Sequence, residues 1–298
     1  MGDLPRARVP LMQTDMQRPS VEAPTSDFDA SAQPVCLGNR RNRILLFDSG
    51  LGGLSVLTEV VRVQPAADII YVADDAGFPY GNWSEPALVE HVVELMGDLI
   101  ERFAPDLVVI ACNTASTLVL APLRERYALP FVGTVPAIKP AAELTRTGLV
   151  TVLATPGTVA RDYTRQLIDQ FAHEIDVTLV GSNHLAGMAE TWLRDGDLDE
   201  KRLADELAPC FRETERGRTD TIVLGCTHYP LLLEAIRRVA PWDVQWVDPA
   251  PAIARRVQTL LPSIDGLTTA RSGRIVFTSG EEPAPALLAR LPAFGLAI

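Results

Sequence analysis

The sequence predicts an α/β protein built as two similar, mostly parallel-sheet, three-layer domains with a ligand cleft between them. Three observations carry that expectation. From Arg43 onward, short apolar runs alternate with segments of helical length, the pattern of parallel strands joined by helical crossovers. LVVI at 107–110 and TIVL at 221–224 are continuous and β-branched rather than alternating, as strands covered on both faces must be. And 298 residues, at roughly 150 per domain, suggest about two cores.

Residues 1–42 hold Pro5, Pro10, Pro19, Pro24 and Pro34 among Ser, Asp and Gln with no sustained apolar period, which predicts a flexible extension. The strand candidates follow at 44–47, 69–72, 107–110, 149–153, 177–180 and 221–224. Their order contains an internal echo. ILLFDSGLGG at 44–53 is followed later by LVVIACNTAS at 107–116, and LVTVLATPGT at 149–158 is followed later by TIVLGCTHYP at 221–230. Each half thus runs from a strand with a small-residue loop to a strand ending in cysteine and then hydroxyl or amide residues. Ligands of open α/β sheets gather at the carboxyl ends of the strands, so all four loops are expected to face one another.

The chemistry concentrates in these loops. Cys112 ends one apolar run and precedes a helix-compatible segment with Leu118, Leu120 and Leu123; Cys226 repeats the setting, with Pro230 suited to a first helical turn and 231–239 continuing as helix. A thiol at a helix N-terminus is expected to have a lowered pKa. A single cysteine at a strand end is as readily a small buried hydrophobe; two in matched contexts favour function. Asp48 closes its strand before Ser49, Gly50, Gly52 and Gly53, suggesting either close backbone approach to a small ligand or a helix N-cap. His228, two residues from Cys226, is placed to be its proton partner.

Several classes are disfavoured. Lys+Arg 27 against Asp+Glu 38 leaves a net charge of −11, which repels nucleic acid and anionic lipid. The longest apolar stretch, 107–123, is interrupted by polar residues and falls short of the ~20 residues a membrane span requires. No secretory signal pattern opens the chain, so a cytoplasmic protein with reduced thiols is expected. Cys36, Cys112, Cys210 and Cys226 have no CxxC spacing, and His91, His173 and His184 are scattered, so neither a disulfide framework nor a metal site is expected. The glycines match a dinucleotide fingerprint poorly, because Ser55 occupies its third glycine position. The only lysines, Lys139 and Lys201, do not resemble an anchor for pyridoxal phosphate. No cofactor is expected.

FDSGLGGLSV, FPYG, ACNTAST, GTVPAIKPA and GCTHYPLL occur in order from residue 47 to 232, and together they resemble glutamate racemase, with VPAIKPA similar to the proteobacterial branch. The resemblance implies interconversion of L- and D-glutamate without a cofactor, supply of D-glutamate for peptidoglycan, and an active site between two α/β domains. It places 43–136 with 249–298 in the first domain and 137–248 in the second. It implies Cys112 and Cys226 as catalytic acid/bases and assigns Asp48, Ser49, Tyr80, Gly81, Asn113, Thr114, Thr227 and His228 to the substrate site. Glu190 matches a family glutamate, and a nucleotide-linked peptidoglycan precursor is implied as an activator. Pro249 and Pro156 depart from the family pattern, which commonly has Ser and a polar residue there.

Read physically, two thiols on opposite faces of Cα solve the geometry of racemisation, since one base tends to return the proton to the side it left. Ser49, Asn113, Thr114 and Thr227 suit stabilisation of the developing carbanion, Tyr80 and the Gly81 amide suit the substrate's side-chain carboxylate, and Asp48 suits the ammonium or a proton relay. Other readings remain at this stage: a Cys–His hydrolase, a racemase of aspartate or hydantoins, and a two-lobed amino-acid binding module.

Overall fold

The computed structural model describes residues 41–261 and 272–296. The expected extension, apart from its last two residues, lies outside the described residues, as does Cys36. The remaining chain contains two parallel sheets and one small hairpin.

The first sheet contains β1 (Arg43–Asp48), β2 (Asp68–Ala73), β3 (Leu107–Ile110), β4 (Phe131–Gly133) and β11 (Ser272–Phe277), in the order β11-β2-β1-β3-β4. The second has the order β10-β9-β5-β6, with β5 (Leu149–Ala154), β6 (Asp176–Gly181), β9 (Thr221–Gly225) and β10 (Gln245–Val247). Between them in sequence, β7 (Glu213–Thr214) and β8 (Gly217–Arg218) form the antiparallel hairpin. β11 (Ser272–Phe277) returns to the first sheet beside β2. Read outward from β1 or β5, the two sheets follow one plan. β1 lies between β2 and β3, and β5 between β6 and β9, with β4 and β10 as the next strands out. The echo read from sequence is therefore a repeat of topology.

The crossovers are α1 (Leu54–Val63), α2 (Glu85–Phe103), α3 (Asn113–Arg126), α4 (Ile138–Leu144), α5 (Pro156–Ala160), α6 (Asp162–Phe171), α7 (Leu185–Asp195), α8 (Glu200–Leu207), α9 (Leu233–Val239), α10 (Ala250–Leu260) and α11 (Pro285–Arg290). Pleating explains the three layers. Ile44 and Leu46 enter one core with Leu57, Val60 and Val257 of α1 and α10, while Leu45 and Phe47 enter another with Met96 and Val119 of α2 and α3. β9 is split in the same way. Ile222 and Leu224 pack with α7–α9, and Val223 packs with Ile138 of α4. Each fully buried Leu, Ile or Phe contributes roughly 1.5–3 kcal/mol, so these central strands are the most strongly fixed parts of the molecule.

Two local expectations change. The helix expected over 231–239 begins as a 3-10 turn, Tyr229–Leu232, before α9. Asp48 is not a helix cap, because α1 starts at Leu54 behind Gly53. Among the described residues, no helix is long and apolar enough to cross a membrane.

Candidate active site

Parallel pairing brings the loops together. Phe47 is in register with Ile110, and Ala154 with Gly225, so Asp48–Ser49 lies beside Ala111–Cys112 and Thr155 beside Cys226 at the carboxyl ends of their sheets. Cys112 is the N-cap of α3, and its carbonyl accepts from Ser116 N–H at 2.8 Å. Cys226 opens a turn in which its carbonyl accepts from Tyr229 N–H at 3.1 Å. Both cysteines are 6% exposed, so each keeps a small opening while the strands behind them are sealed. They are close enough for the charge of Cys226 to act on Cys112.

The loop after β1 is held against the second domain by specific bonds. Thr227 Oγ1 donates to Asp48 Oδ2 at 3.0 Å, Ser55 Oγ to the Thr227 carbonyl at 2.8 Å, and Leu51 N–H to Glu190 Oε1 at 2.5 Å. Fully buried Tyr71 donates to the Gly50 carbonyl at 2.8 Å, fixing the loop from below. A Cβ at Gly50 would overlap Glu190 Oε1, and one at Gly52 would overlap the His228 ring. The glycines thus make room for two side chains of the other domain, a different cause from the close ligand approach expected.

Behind Cys226 stands a polar chain. His228 Nδ1 lies 3.7 Å from Cys226 Sγ, and its Nε2 lies 2.8 Å from Glu190 Oε1. Burial pulls His228 toward the neutral form, but hydrogen bonds and charge from Cys226 and Glu190 prevail and hold its pKa well above the ordinary value. Burial pushes Glu190 up, yet the His228 bond and charge, the Leu51 N–H and Arg194 bring it below the usual carboxylate value. The pair is an imidazolium–carboxylate couple. Glu190 projects from α7, and Arg194, one turn on, donates to its other oxygen at 3.3 Å.

The Cys112 side corrects an expectation. Its thiol does not have a lowered pKa; burial and then the Asp48 charge push it up to about 12, against the Ala115 N–H and the Ser49 hydroxyl, which favour thiolate. Asp48 is itself raised, by burial first, with His228, Gly50 N–H and Thr227 opposing. The helix N-terminus is present, but desolvation and a neighbouring carboxylate outweigh it.

The remaining predicted residues line the same loops. Thr114 Oγ1 lies 3.0 Å from Thr155 Oγ1 and 3.5 Å from Thr158 Oγ1, joining the two domains. Asn113 is 2% exposed, and both polar atoms of its side chain lack a partner among the described residues, which leaves its amide free for a ligand. Gly81 faces open space. Tyr80 is committed elsewhere. Its hydroxyl donates to Asp74 Oδ2, which His91 Nε2 also approaches at 2.6 Å, while Thr278 donates to Asp74 Oδ1 at 2.6 Å.

Sequence reasoning missed Tyr229, Arg194 and Asp74. Tyr229 is fully buried, and its hydroxyl lies near enough to Cys226 to interact with the sulfur and feel its charge. The signal for Arg194 was its i+4 spacing from Glu190.

Two α/β domains of one plan thus each carry a cysteine at an equivalent strand end. The comparisons agree. The Asp/Glu/Hydantoin racemase family model matches residues 55–257. The chain is 58% identical over 240 residues to the glutamate racemase of Mesorhizobium japonicum, covering 80% of this chain and 92% of that one. It is 52% identical over 278 residues to that of Brucella canis, covering 92% and 99%. Its fold matches Escherichia coli glutamate racemase, crystallised with L-glutamate and the activator UDP-MurNAc-ala, with a TM-score of 0.79, 42% identity and coverage of 86% and 96%. The chain belongs to the Asp/Glu/hydantoin racemase family and is an isomerase whose relatives are glutamate racemases. The hydrolase and binding-module readings give way to it.

Proposed function

We propose that this enzyme interconverts L- and D-glutamate by moving a proton between Cα and two thiols, Cys112 and Cys226, on opposite faces of the substrate. The observation that carries the reading is the placement of both cysteines at equivalent strand ends of two facing sheets, within electrostatic reach of one another. In one direction the Cys226 thiolate takes the Cα proton while the Cys112 thiol gives its proton to the other face; the reverse reaction exchanges the roles. His228, held by Glu190, stabilises charge on Cys226 and is the group through which its proton can be relayed. Asp48 and Ser49 serve Cys112.

The energetic demand is severe. A turnover of ~10 s⁻¹ permits a barrier of roughly 16 kcal/mol, about 12 pKa units of uphill proton transfer. Stabilisation of the carbanion falls to the unpartnered Asn113 amide, the Thr114 hydroxyl and nearby backbone N–H groups, while Thr227, whose hydroxyl donates to Asp48, holds that carboxylate in place. Because the Tyr80 hydroxyl is occupied by Asp74, the Gly81 amide is the stronger candidate for the side-chain carboxylate.

The same reading divides the chain into 43–136 with 249–298, and 137–248; sheet membership supports this division. It assigns the product to peptidoglycan synthesis and the enzyme to the cytoplasm. For an anionic nucleotide-linked activator, the suitable place is a cavity of about 460 Å³ lined by Arg124, Lys139 and Arg256 beside Phe131, Ile138 and Phe171. Incubating the protein with either glutamate enantiomer, without added cofactor and both with and without UDP-MurNAc-ala, tests the proposal: chiral chromatography should show approach to equal amounts from both sides. Absence of conversion, or preference for aspartate or a hydantoin, would overturn it.

A further inference from the structure

Arg161, which follows α5, reaches across from the second domain to pair its Nη1 with Glu85 at the start of α2 in the first. Its side chain is only 9% exposed although Glu85 is 62% exposed, so the guanidinium is drawn into the domain junction and not simply spread on the surface. Its Nε is buried and has no hydrogen-bond partner among the described residues. A buried guanidinium N–H left unmade is costly, which marks it as a donor kept for something that binds.

Its surroundings identify what that is. A Cβ built on Gly157 would lie 3.9 Å from Arg161 Nη2, 3.6 Å from Thr114 Cγ2 and 4.0 Å from the Gly81 Cα, so the guanidinium end of Arg161 is a close neighbour of both Thr114 and Gly81. α5 packs there against both α3 and the 3-10 turn Tyr80–Asn82. Gly81 and Thr114, both expected in the substrate site, meet here, so Arg161 stands beside the Cys112 loop. We propose that Arg161 determines substrate specificity by receiving the distal carboxylate of the amino acid through its unpartnered Nε–H and its charge, with Glu85 holding the side chain in place from the rim.

The inference rests on glutamate being the substrate and deepens that reading. A planar guanidinium can serve two carboxylates at once, one from Glu85 and one from the ligand, because its five N–H donors form a fixed fork. A neutral side chain of the same length would leave the Nε–H unsatisfied and is rejected for that reason.

Steady-state kinetics in both directions on wild type, Arg161→Met, Arg161→Lys and Glu85→Gln test it, with inhibition by glutarate and by butyrate as a second readout. Arg161→Met should raise KM for both enantiomers about ten-fold or more, with kcat changed less than about three-fold. It should also abolish the preference for glutarate over butyrate. Arg161→Lys should recover part of that preference, and Glu85→Gln should keep KM within about two-fold, since the cation remains. Equal losses in Arg161→Met and Glu85→Gln would show that the pair only joins the domains and would overturn the proposal, as would an unchanged KM in Arg161→Met. Should Arg161→Met fail to fold, the glutarate preference of Arg161→Lys and Glu85→Gln decides: its disappearance in Glu85→Gln overturns the proposal, and its weakening only in Arg161→Lys supports it. A wild type inactive on glutamate would sink the racemase reading and this inference together, whereas an active wild type with an indifferent Arg161→Met sinks only the latter.

Discussion

The two thiol loops share a backbone plan and differ in their electrostatics. Beside Cys226, an imidazolium–carboxylate couple of His228 and Glu190 places positive charge 3.7 Å from the sulfur. Beside Cys112, the equivalent position two residues on is Thr114, and the neighbouring strand ends in Asp48, whose charge helps to push the thiol up to about 12. Topology alone would give two interchangeable bases. The side chains around the two loops differ instead: an imidazole backed by a carboxylate stands beside Cys226, and a carboxylate alone stands beside Cys112. Each set of groups belongs to the domain of its own thiol, and the Leu51–Glu190 and Thr227–Asp48 bonds tie the two sets together across the junction.

The most drastic way to break the comparison is to delete one sulfur. Cys112→Ala and Cys226→Ala should each lower racemisation by about 10³-fold or more, measured by the change in optical rotation, because neither half can do the work of both. Near-equal residual rates in one variant and wild type would mean that the pair is not functional. Next in size, His228→Asn or Glu190→Gln should lower kcat by about 10²-fold. The equilibrium constant of a racemisation is one, so kcat/KM must remain equal in both directions, and the asymmetry should appear in the separate kcat and KM values.

The same couple has a pH signature in stability. Glu190 is lowered in the folded state, so its contribution is complete above 4.5 and is lost as pH falls through its folded value. His228 is raised, so its contribution is complete below 6.5 and is lost as pH rises through its folded value. The Tm difference between wild type and Glu190→Gln should therefore be fully developed between pH 4.5 and 6.5 and should shrink as pH falls through the lowered Glu190 value. Thermal scans from pH 3.5 to 8 check this.

Gly52→Ala is a finer probe. Its methyl would overlap the His228 ring, so a loss of about 1–3 kcal/mol in stability is expected, with a disproportionate fall in activity as the ring is displaced. The smallest effect is the most specific. Asp48→Asn removes a negative charge beside Cys112, so the thiol should titrate below its present value of about 12 while remaining raised by burial. Peptide-resolved alkylation rates against pH would register the shift; an upward shift would contradict the assignment of its cause.

The sequence disclosed the parts of this molecule that local pattern controls. β1, β3, β5 and β9 were legible because strands buried on both faces need unbroken apolar runs, and the cysteines were legible because both runs end the same way. β4 and β10 were not, being three-residue strands too short to show any period, and β11 lies far along the chain from β2, the strand it pairs with. The thiol of Cys112 was misjudged for a related reason. Its helix N-terminus is adjacent in sequence, whereas Asp48, which opposes it, is brought beside it only by sheet pairing. The spacing that required Gly50 and Gly52 was equally hidden, because Glu190 and His228 belong to the other half of the chain.

The central claim, that two sulfurs on opposite faces share one proton transfer, is tested most directly by following each glutamate enantiomer in D₂O at low conversion. The account predicts that newly formed product carries deuterium at Cα while the remaining substrate stays almost entirely protiated, in both directions. Deuterium entering the substrate pool as fast as product appears would indicate a single base serving both faces, and product formed without deuterium would exclude exchange with solvent-derived thiol protons; either result contradicts the account.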